Sequence, residues 1–131
     1  MTAKNFFLYV VVIDFAFGLG LLFVPQIIVD MYALEKGMDL GSFDALARGY
    51  GTLLTATGVG AYWVRNAAPS VGRQGLFIIG LVGSILVAIL HIWAMQKGFE
   101  NGMAWSIVLF STIAAAWAGL LLSKEKGMSL E

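Results

Sequence analysis

Three ionisable side chains lie within or at the edge of long apolar stretches of this sequence. They are Asp14, Arg48 and His91, and His91 is the one histidine of the chain. Placing a charged group in hydrocarbon is costly, so residues of this kind are candidates for ligand binding or proton transfer. Their chemistry is the starting point for predicting a function.

Asp14 has two possible roles. Removal from water disfavours the charged carboxylate, so Asp14 can remain protonated and serve as a structural hydrogen-bonding group. Alternatively, it takes part in a proton relay or binds a ligand. The expected structural partners are the hydroxyl groups of Thr52, Thr55, Ser84 and Ser111.

Arg48 and His91 also have a structural and a functional interpretation. Arg48 follows Asp44 by four residues, so the two side chains share a helix face and can pair; the alternative is that Arg48 binds an anion or a lipid headgroup. His91 lies near the end of an apolar stretch, where it can form an interfacial hydrogen bond, bind a ligand or act as an acid or base.

Several kinds of reactive site are absent from the sequence. There is no cysteine, which excludes disulfides, thiolate metal sites and cysteine catalysis. One histidine with scattered carboxylates does not supply a zinc site. Asp14 lies ten residues before Val24, about 15 Å below the end of the membrane where His91 is expected, so no Ser-His-Asp arrangement forms. We therefore expect no catalytic residues and no metal.

The composition indicates an integral membrane protein. Of the 131 residues, 60% are hydrophobic and 12% are charged, whereas soluble domains average about 25% charged residues. The formal net charge of zero gives no support for nucleic-acid binding. The length suits a single domain covering residues 1–131.

Four apolar segments are each long enough to cross a bilayer as a helix, which needs about 20 residues. Pro25 ends the first segment, and Pro25 to Leu34 is amphipathic, which predicts a short helix at the membrane interface. Ser42 is the predicted N-cap of the second span. The predicted fold is an all-α, four-helix transmembrane bundle with spans at residues 6–24, 44–65, 75–96 and 103–122.

The basic residues near the span ends predict the orientation. Loops rich in lysine and arginine stay in the cytoplasm. The side that carries both termini has five basic residues and the other side has three, so we expect both termini in the cytoplasm. The five are Lys4, Arg65, Arg73, Lys124 and Lys126, and the three are Lys36, Arg48 and Lys97.

Small residues spaced by four occur in every predicted span. Such spacing lets membrane helices approach closely. These faces can pack the chain's own bundle, or they can form a homo-oligomer or dock partner membrane helices. The stripes are Ala16 and Gly20; Thr52, Ala56 and Gly60; Gly80, Ser84 and Ala88; and Ser111, Ala115 and Gly119.

Residues 15–65 resemble a known layout. The first span ends in Phe-Val-Pro, an amphipathic connection follows, and Ala-Arg-Gly-Tyr-Gly leads into a glycine-rich span that ends in Trp-Val-Arg. This order is similar to that of small four-span bacterial membrane proteins of the DoxX-like group. The resemblance implies a four-helix bundle in a bacterial inner membrane. The usual DoxX first span has an arginine near its start, where this chain has Asn5 and later Asp14, so no functional residue is carried over.

Together these features predict a non-enzymatic membrane protein. It binds a lipid or a small amphipathic ligand, or conducts a small solute, through a polar pocket near the outer leaflet. An alternative is a membrane anchor or accessory subunit of a larger complex. A third is a haem-binding electron-transfer anchor, which needs His91 from two chains or a methionine as second ligand. The predicted pocket residues are Asp14, Arg48, Tyr50, Thr52 and His91.

Overall fold

The computed structural model describes residues 2–35, 37, 39–41 and 43–126, except the side chain of Lys126. The predicted positions of Lys36 and of the Ser42 N-cap fall outside these residues. The described residues form five helices: α1 (Ala3–Phe23), α2 (Pro25–Tyr32), α3 (Phe43–Val64), α4 (Val71–Gln96) and α5 (Ala104–Lys126). Helices α1, α4 and α5 are long and apolar enough to cross a membrane. The all-α class is thereby confirmed for the described residues, and three of the four predicted spans coincide with helices of the required length and hydropathy.

Helices α1 and α4 begin earlier than the spans predicted from the sequence. Thr2 caps α1 by accepting a hydrogen bond from the Asn5 amide at 3.3 Å, and Ser70 caps α4 by accepting from the Arg73 amide at 3.2 Å. The predicted spans were bounded by charged residues. Helical hydrogen bonding does not depend on hydrocarbon, so it continues to a capping residue beyond the apolar segment.

Helix α5 continues to Lys126, beyond residue 122 where the predicted fourth span ends. Glu125 is only 4% exposed. Its carboxylate accepts from Arg73 Nε at 3.3 Å and from Arg73 Nη2, so the start of α4 is joined to the end of α5. An arginine that donates through two nitrogens is a strong and geometrically specific partner for a carboxylate.

Helices α1 and α3 are antiparallel and in backbone contact. A Cβ atom added at Gly51 would lie 2.6 Å from the Leu22 nitrogen, and one added at Gly18 would lie 2.8 Å from the Thr55 nitrogen. Glycine is therefore required at both positions. The predicted stripe residue Gly60 has open space around an added Cβ instead. The close contact between α1 and α3 therefore uses small residues that are not in the predicted stripes.

The four long helices form two antiparallel pairs. Helix α1 packs along α3 and α4 packs along α5, while a smaller contact between α1 and α5 joins the pairs. Within the described part of the chain, α3 and α4 make no extensive contact with each other. The neighbour order is therefore α3, α1, α5, α4, which leaves a gap between the first and last of these helices.

The two pairs are also joined at their ends. At the end where α1 begins and α5 ends, aromatic and aliphatic side chains form a core of Phe6, Phe7, Ala61, Phe77, Ala118 and Leu121. At the opposite end, the Leu34 amide donates to the Phe99 carbonyl at 3.2 Å and the Asn101 amide donates to the Tyr32 carbonyl at 2.7 Å. These bonds connect the end of α2 to the α4–α5 turn.

Candidate ligand-binding cavity

A cavity of about 750 Å³ lies between the two helix pairs. This volume is within the range of about 300–1,000 Å³ that is typical of small-molecule sites. Most of the lining side chains are apolar or aromatic. The polar and ionisable ones are Tyr9, Asp14, Tyr32, Tyr50, Thr57, Ser84, His91, Glu100 and Ser111.

The cavity reaches the surface of the molecule between α3 and α4. Tyr50 on α3 and Ile79 on α4 both line it, and they are 45% and 66% exposed. Gly60 and Gly83 also line it, and a Cβ atom at either position would have nothing within 4 Å. Gly60, Ile79 and Gly83 belong to apolar segments, so this opening faces the bilayer if these helices span it.

Asp14 lies on the cavity wall, near the middle of α1. Thr57 of α3 donates to its Oδ2 atom at 2.6 Å, and Tyr50 lines the same cavity. The expected partners Thr52, Thr55, Ser84 and Ser111 are not the ones that bond to Asp14. Thr57 is favoured because the antiparallel register of α1 and α3 places Gly58 beside Asp14 and Phe15.

His91 lines the same cavity at the end closed by the α4–α5 turn. Its Nδ1 atom lies 2.7 Å and 2.9 Å from the two carboxylate oxygens of Glu100. The pair is partly exposed, with about a fifth of each side chain accessible. With Nδ1 held by the carboxylate, Nε2 is the ring nitrogen that remains for a ligand.

Arg48 and Thr52 lie outside this cavity. Arg48 Nε donates to Asp44 at 2.7 Å and Nη1 donates to the Leu22 carbonyl at 2.6 Å. Thr52 is exposed and donates to the Arg48 carbonyl at 2.9 Å. Arg48 instead lines a separate pocket of about 440 Å³ beside the α1–α2 corner. The structure thus brings Asp14, Tyr50 and His91 to one cavity and places the other two predicted residues elsewhere.

Four polar residues of the cavity had no role predicted from the sequence: Tyr9, Tyr32, Thr57 and Glu100. Thr57 could have been inferred by comparing positions along the antiparallel helices α1 and α3, since its hydroxyl is the one closest to the depth of Asp14. The turn after α4 is short, so it returns Glu100 toward His91. The shortness of this turn in the sequence could have suggested the contact. The Tyr9 hydroxyl donates to the Phe110 carbonyl at 2.8 Å, a contact between α1 and α5 that has no sequence signal.

The described cavity lining carries more acidic than basic side chains. It includes the carboxyl groups of Asp14 and Glu100 and the imidazole of His91, and it includes neither lysine nor arginine. Among the described residues, no group of three or more histidine, aspartate or glutamate side chains is placed to hold a metal ion. The arrangement can hold an apolar body and offer it a few hydrogen-bonding or anionic groups.

Comparison of the chain with protein-family models, with curated proteins and with solved structures finds no match.

Proposed function

We propose that this protein is a non-enzymatic membrane protein that binds one small amphipathic molecule in the cavity between its two helix pairs. The observation that carries the proposal is the cavity itself, an apolar and aromatic space of about 750 Å³ with few polar groups. Sites of this composition bury the apolar part of a ligand and use sparse polar groups to orient it.

The opening between α3 and α4 suggests the route of entry. An amphipathic molecule is already concentrated in the bilayer, so a lateral opening lets it enter without crossing water. Asp14 and Thr57 would then meet its polar group near the middle of the cavity, while Tyr50 stands at the opening. The site we propose is therefore Asp14, Tyr50 and His91, extended by Thr57 and Glu100.

Two features favour binding over conduction of a solute. Phe6 and Phe77 are almost fully buried, at 1% and 0% exposed, and their rings pack edge to face 5.5 Å apart at the end where α1 begins and α5 ends. At the opposite end, the backbone bonds between residues 32–34 and 99–101 cover the cavity. A pore would need a polar path through both ends.

The proposal includes a specific membrane topology. Helix α3 has 22 residues, enough for about 33 Å at 1.5 Å per residue, and it is in backbone contact with the apolar helix α1. We therefore propose that α3 is a fourth span, that α2 lies at the outer interface, and that both termini are cytoplasmic. The DoxX-like layout supports a bacterial inner membrane.

One alternative keeps His91 as an axial ligand of haem. The Nδ1 contact with Glu100 favours it, because a carboxylate that holds Nδ1 orients the imidazole and strengthens Nε2 as a ligand. Haem, however, carries two propionates, and the described cavity lining offers no lysine or arginine to pair with them. The absence of a Soret band after haem is added to the purified protein would remove this alternative.

A second alternative is a membrane anchor or accessory subunit, or a homo-oligomer. Gly49 and Gly75 lie on helix surfaces with nothing within 4 Å of an added Cβ, so a further helix could approach them. The subunit count in nanodiscs, together with any protein that co-purifies, separates this alternative from an independent binding protein.

The amphiphile that co-purifies with the protein tests the proposal. Gly83 and Gly75 are both on α4 and both have open space around an added Cβ, but only Gly83 lines the cavity. Mass spectrometry of solvent extracts should find about one bound amphiphile per chain in the native protein and in Gly75→Phe, and much less in Gly83→Phe. Equal amounts in the two variants would refute binding in the cavity.

A further inference from the structure

We propose that the occupant of the cavity is a lipophilic monocation, such as an amine or quaternary ammonium amphiphile, rather than a neutral or anionic lipid. This inference rests on the proposed function and adds the charge class of the ligand. It comes from the sign and position of the ionisable groups and from the aromatic lining.

Asp14 is the group placed to receive the charge. It lies in the apolar middle of α1, and Thr57 occupies only its Oδ2 atom, at 2.6 Å. The carboxylate therefore retains a second oxygen for a cationic group. Charges inside a membrane are rare and are usually paired with a partner or with a ligand, and the described lining supplies Asp14 with no lysine or arginine.

Glu100 adds a second carboxylate at the far end of the same cavity. It is held by His91 Nδ1 at 2.7 Å, so its charge is partly compensated there. The difference between the two carboxylates places the cation at Asp14 and the apolar part of the ligand along the rest of the cavity.

Aromatic rings line the cavity on several sides. The faces of such rings attract cations electrostatically, most strongly where water is excluded. A ligand cation at Asp14 would therefore have favourable surroundings, whereas an anion would meet ring faces and carboxylates. The lining rings include those of Tyr9, Phe17, Tyr32, Tyr50 and Phe110.

The arginine on α3 does not change the preference of the cavity for a cation. Arg48 is outside the described cavity lining and is already engaged by Asp44 and by the Leu22 carbonyl. An anionic headgroup entering between α3 and α4 would find no comparable guanidinium inside the cavity.

Tetraphenylphosphonium and tetraphenylborate test the proposal because they have nearly the same size and opposite charges. Binding of each to the full chain in nanodiscs of zwitterionic lipid can be measured by equilibrium dialysis, with empty nanodiscs subtracted. The variants are Asp14→Asn, Glu100→Gln and, as a control, Glu35→Gln, which removes an exposed carboxylate outside the cavity. Comparing each variant with the native protein for one ion cancels the partitioning of that ion into lipid.

We expect tetraphenylphosphonium to bind at about one site per chain, and Asp14→Asn to weaken it at least tenfold without weakening tetraphenylborate. Glu100→Gln should weaken it less, and Glu35→Gln should have no effect. The proposal is overturned if tetraphenylborate binds as tightly as tetraphenylphosphonium, if neither ion binds, or if Asp14→Asn, at unchanged thermal stability, binds tetraphenylphosphonium as the native protein does. In each case an amphiphile lost specifically from Gly83→Phe would still support the proposed function.

Discussion

The position of Arg48 is explained by the end of helix α1, which lies beside it. Helix α1 ends at Phe23, and Pro25 follows without an amide hydrogen, so carbonyl groups of the last turn lack their usual donors. The Arg48 guanidinium supplies one of these donors to Leu22 and also pairs with Asp44. The residue that stood out in the sequence as a possible anion site thus satisfies the backbone of a neighbouring helix.

We predict that Arg48→Ala lowers the stability of the purified protein by about 2 kcal/mol, chiefly because the Leu22 carbonyl loses a charged donor. The pair with Asp44 adds little, since both side chains are more than 40% exposed and exposed pairs contribute about 0–1 kcal/mol. Arg48→Lys should recover part of the loss, because an ammonium group cannot reproduce the two-nitrogen contact.

Thermal unfolding in detergent measures these changes. Lys97→Ala is the control, since Lys97 is an exposed cation at the end of α4. If Arg48→Ala and Lys97→Ala lowered the melting temperature equally, the contact with Leu22 would have no energetic importance.

At single positions, the sequence identified the unusual residues better than it identified the residues that they contact. Asp14 and His91 were recognisable because ionisable groups are rare in apolar segments. Their partners, Thr57 and Glu100, depend on the register between α1 and α3 and on the path of the α4–α5 turn. Neither is fixed by residues close in sequence. The hydroxyl that bonds to Asp14 is therefore none of the four that the sequence suggested.

At the scale of helices, backbone contact between α1 and α3 depends on individual glycines. Gly51 lies against Gly18 and Leu22, whereas Gly49, two residues earlier on the same helix, has open space. The two positions are therefore a matched pair for testing the packing of α1 on α3.

We predict opposite effects of alanine at these two positions. Gly51→Ala should destabilise the protein strongly, since its Cβ would lie 2.6 Å from the Leu22 nitrogen and backbone cannot move aside cheaply. Gly49→Ala should be neutral or stabilising by up to about 1 kcal/mol, because alanine has the higher helix propensity. Thermal melts of both variants in one detergent provide the comparison, and a Gly51→Ala variant as stable as Gly49→Ala would contradict the register.

The helices themselves were largely predictable, and their ends were not. Long apolar segments and Pro25 indicated where helices form and break. The extension of α5 to include Glu125 depends on Arg73, which is 52 residues away in sequence. A buried partner at that distance makes a charged segment helical and packed, and local composition gives no sign of it.

At the scale of the whole molecule, the topology we propose has α3 crossing the membrane beside α1. Helix α3 is the least apolar of the long helices, and it is absent from the set that qualifies by length and hydropathy. The hydroxyls of Thr55 and Thr57 in α3 are hydrogen-bonded within the protein, Thr55 to the Gly51 carbonyl at 2.8 Å and Thr57 to Asp14 at 2.6 Å, which lowers the cost of placing them in a membrane.

Single cysteines test this topology in a chain that has none. Glu35→Cys, Ala68→Cys and Gly102→Cys introduce thiols at exposed positions before α3, after α3 and after α4. A membrane-impermeant maleimide should label positions 35 and 102 from the outside of cells and position 68 only after permeabilisation. Labelling of positions 35 and 68 from the same side would show that α3 does not span.

The most direct measurement of the central claim is a map of where an amphiphile resides on the protein. An alkylamine with a diazirine on its chain would be photolysed in nanodiscs and the labelled residues identified by mass spectrometry. We expect the labelling to be concentrated on cavity residues such as Ile13, Leu54 and Val87. We also expect Gly83→Phe to suppress it and Gly75→Phe to leave it unchanged. Labelling no stronger there than on the exposed residues Leu53, Leu86 and Leu109 would contradict it.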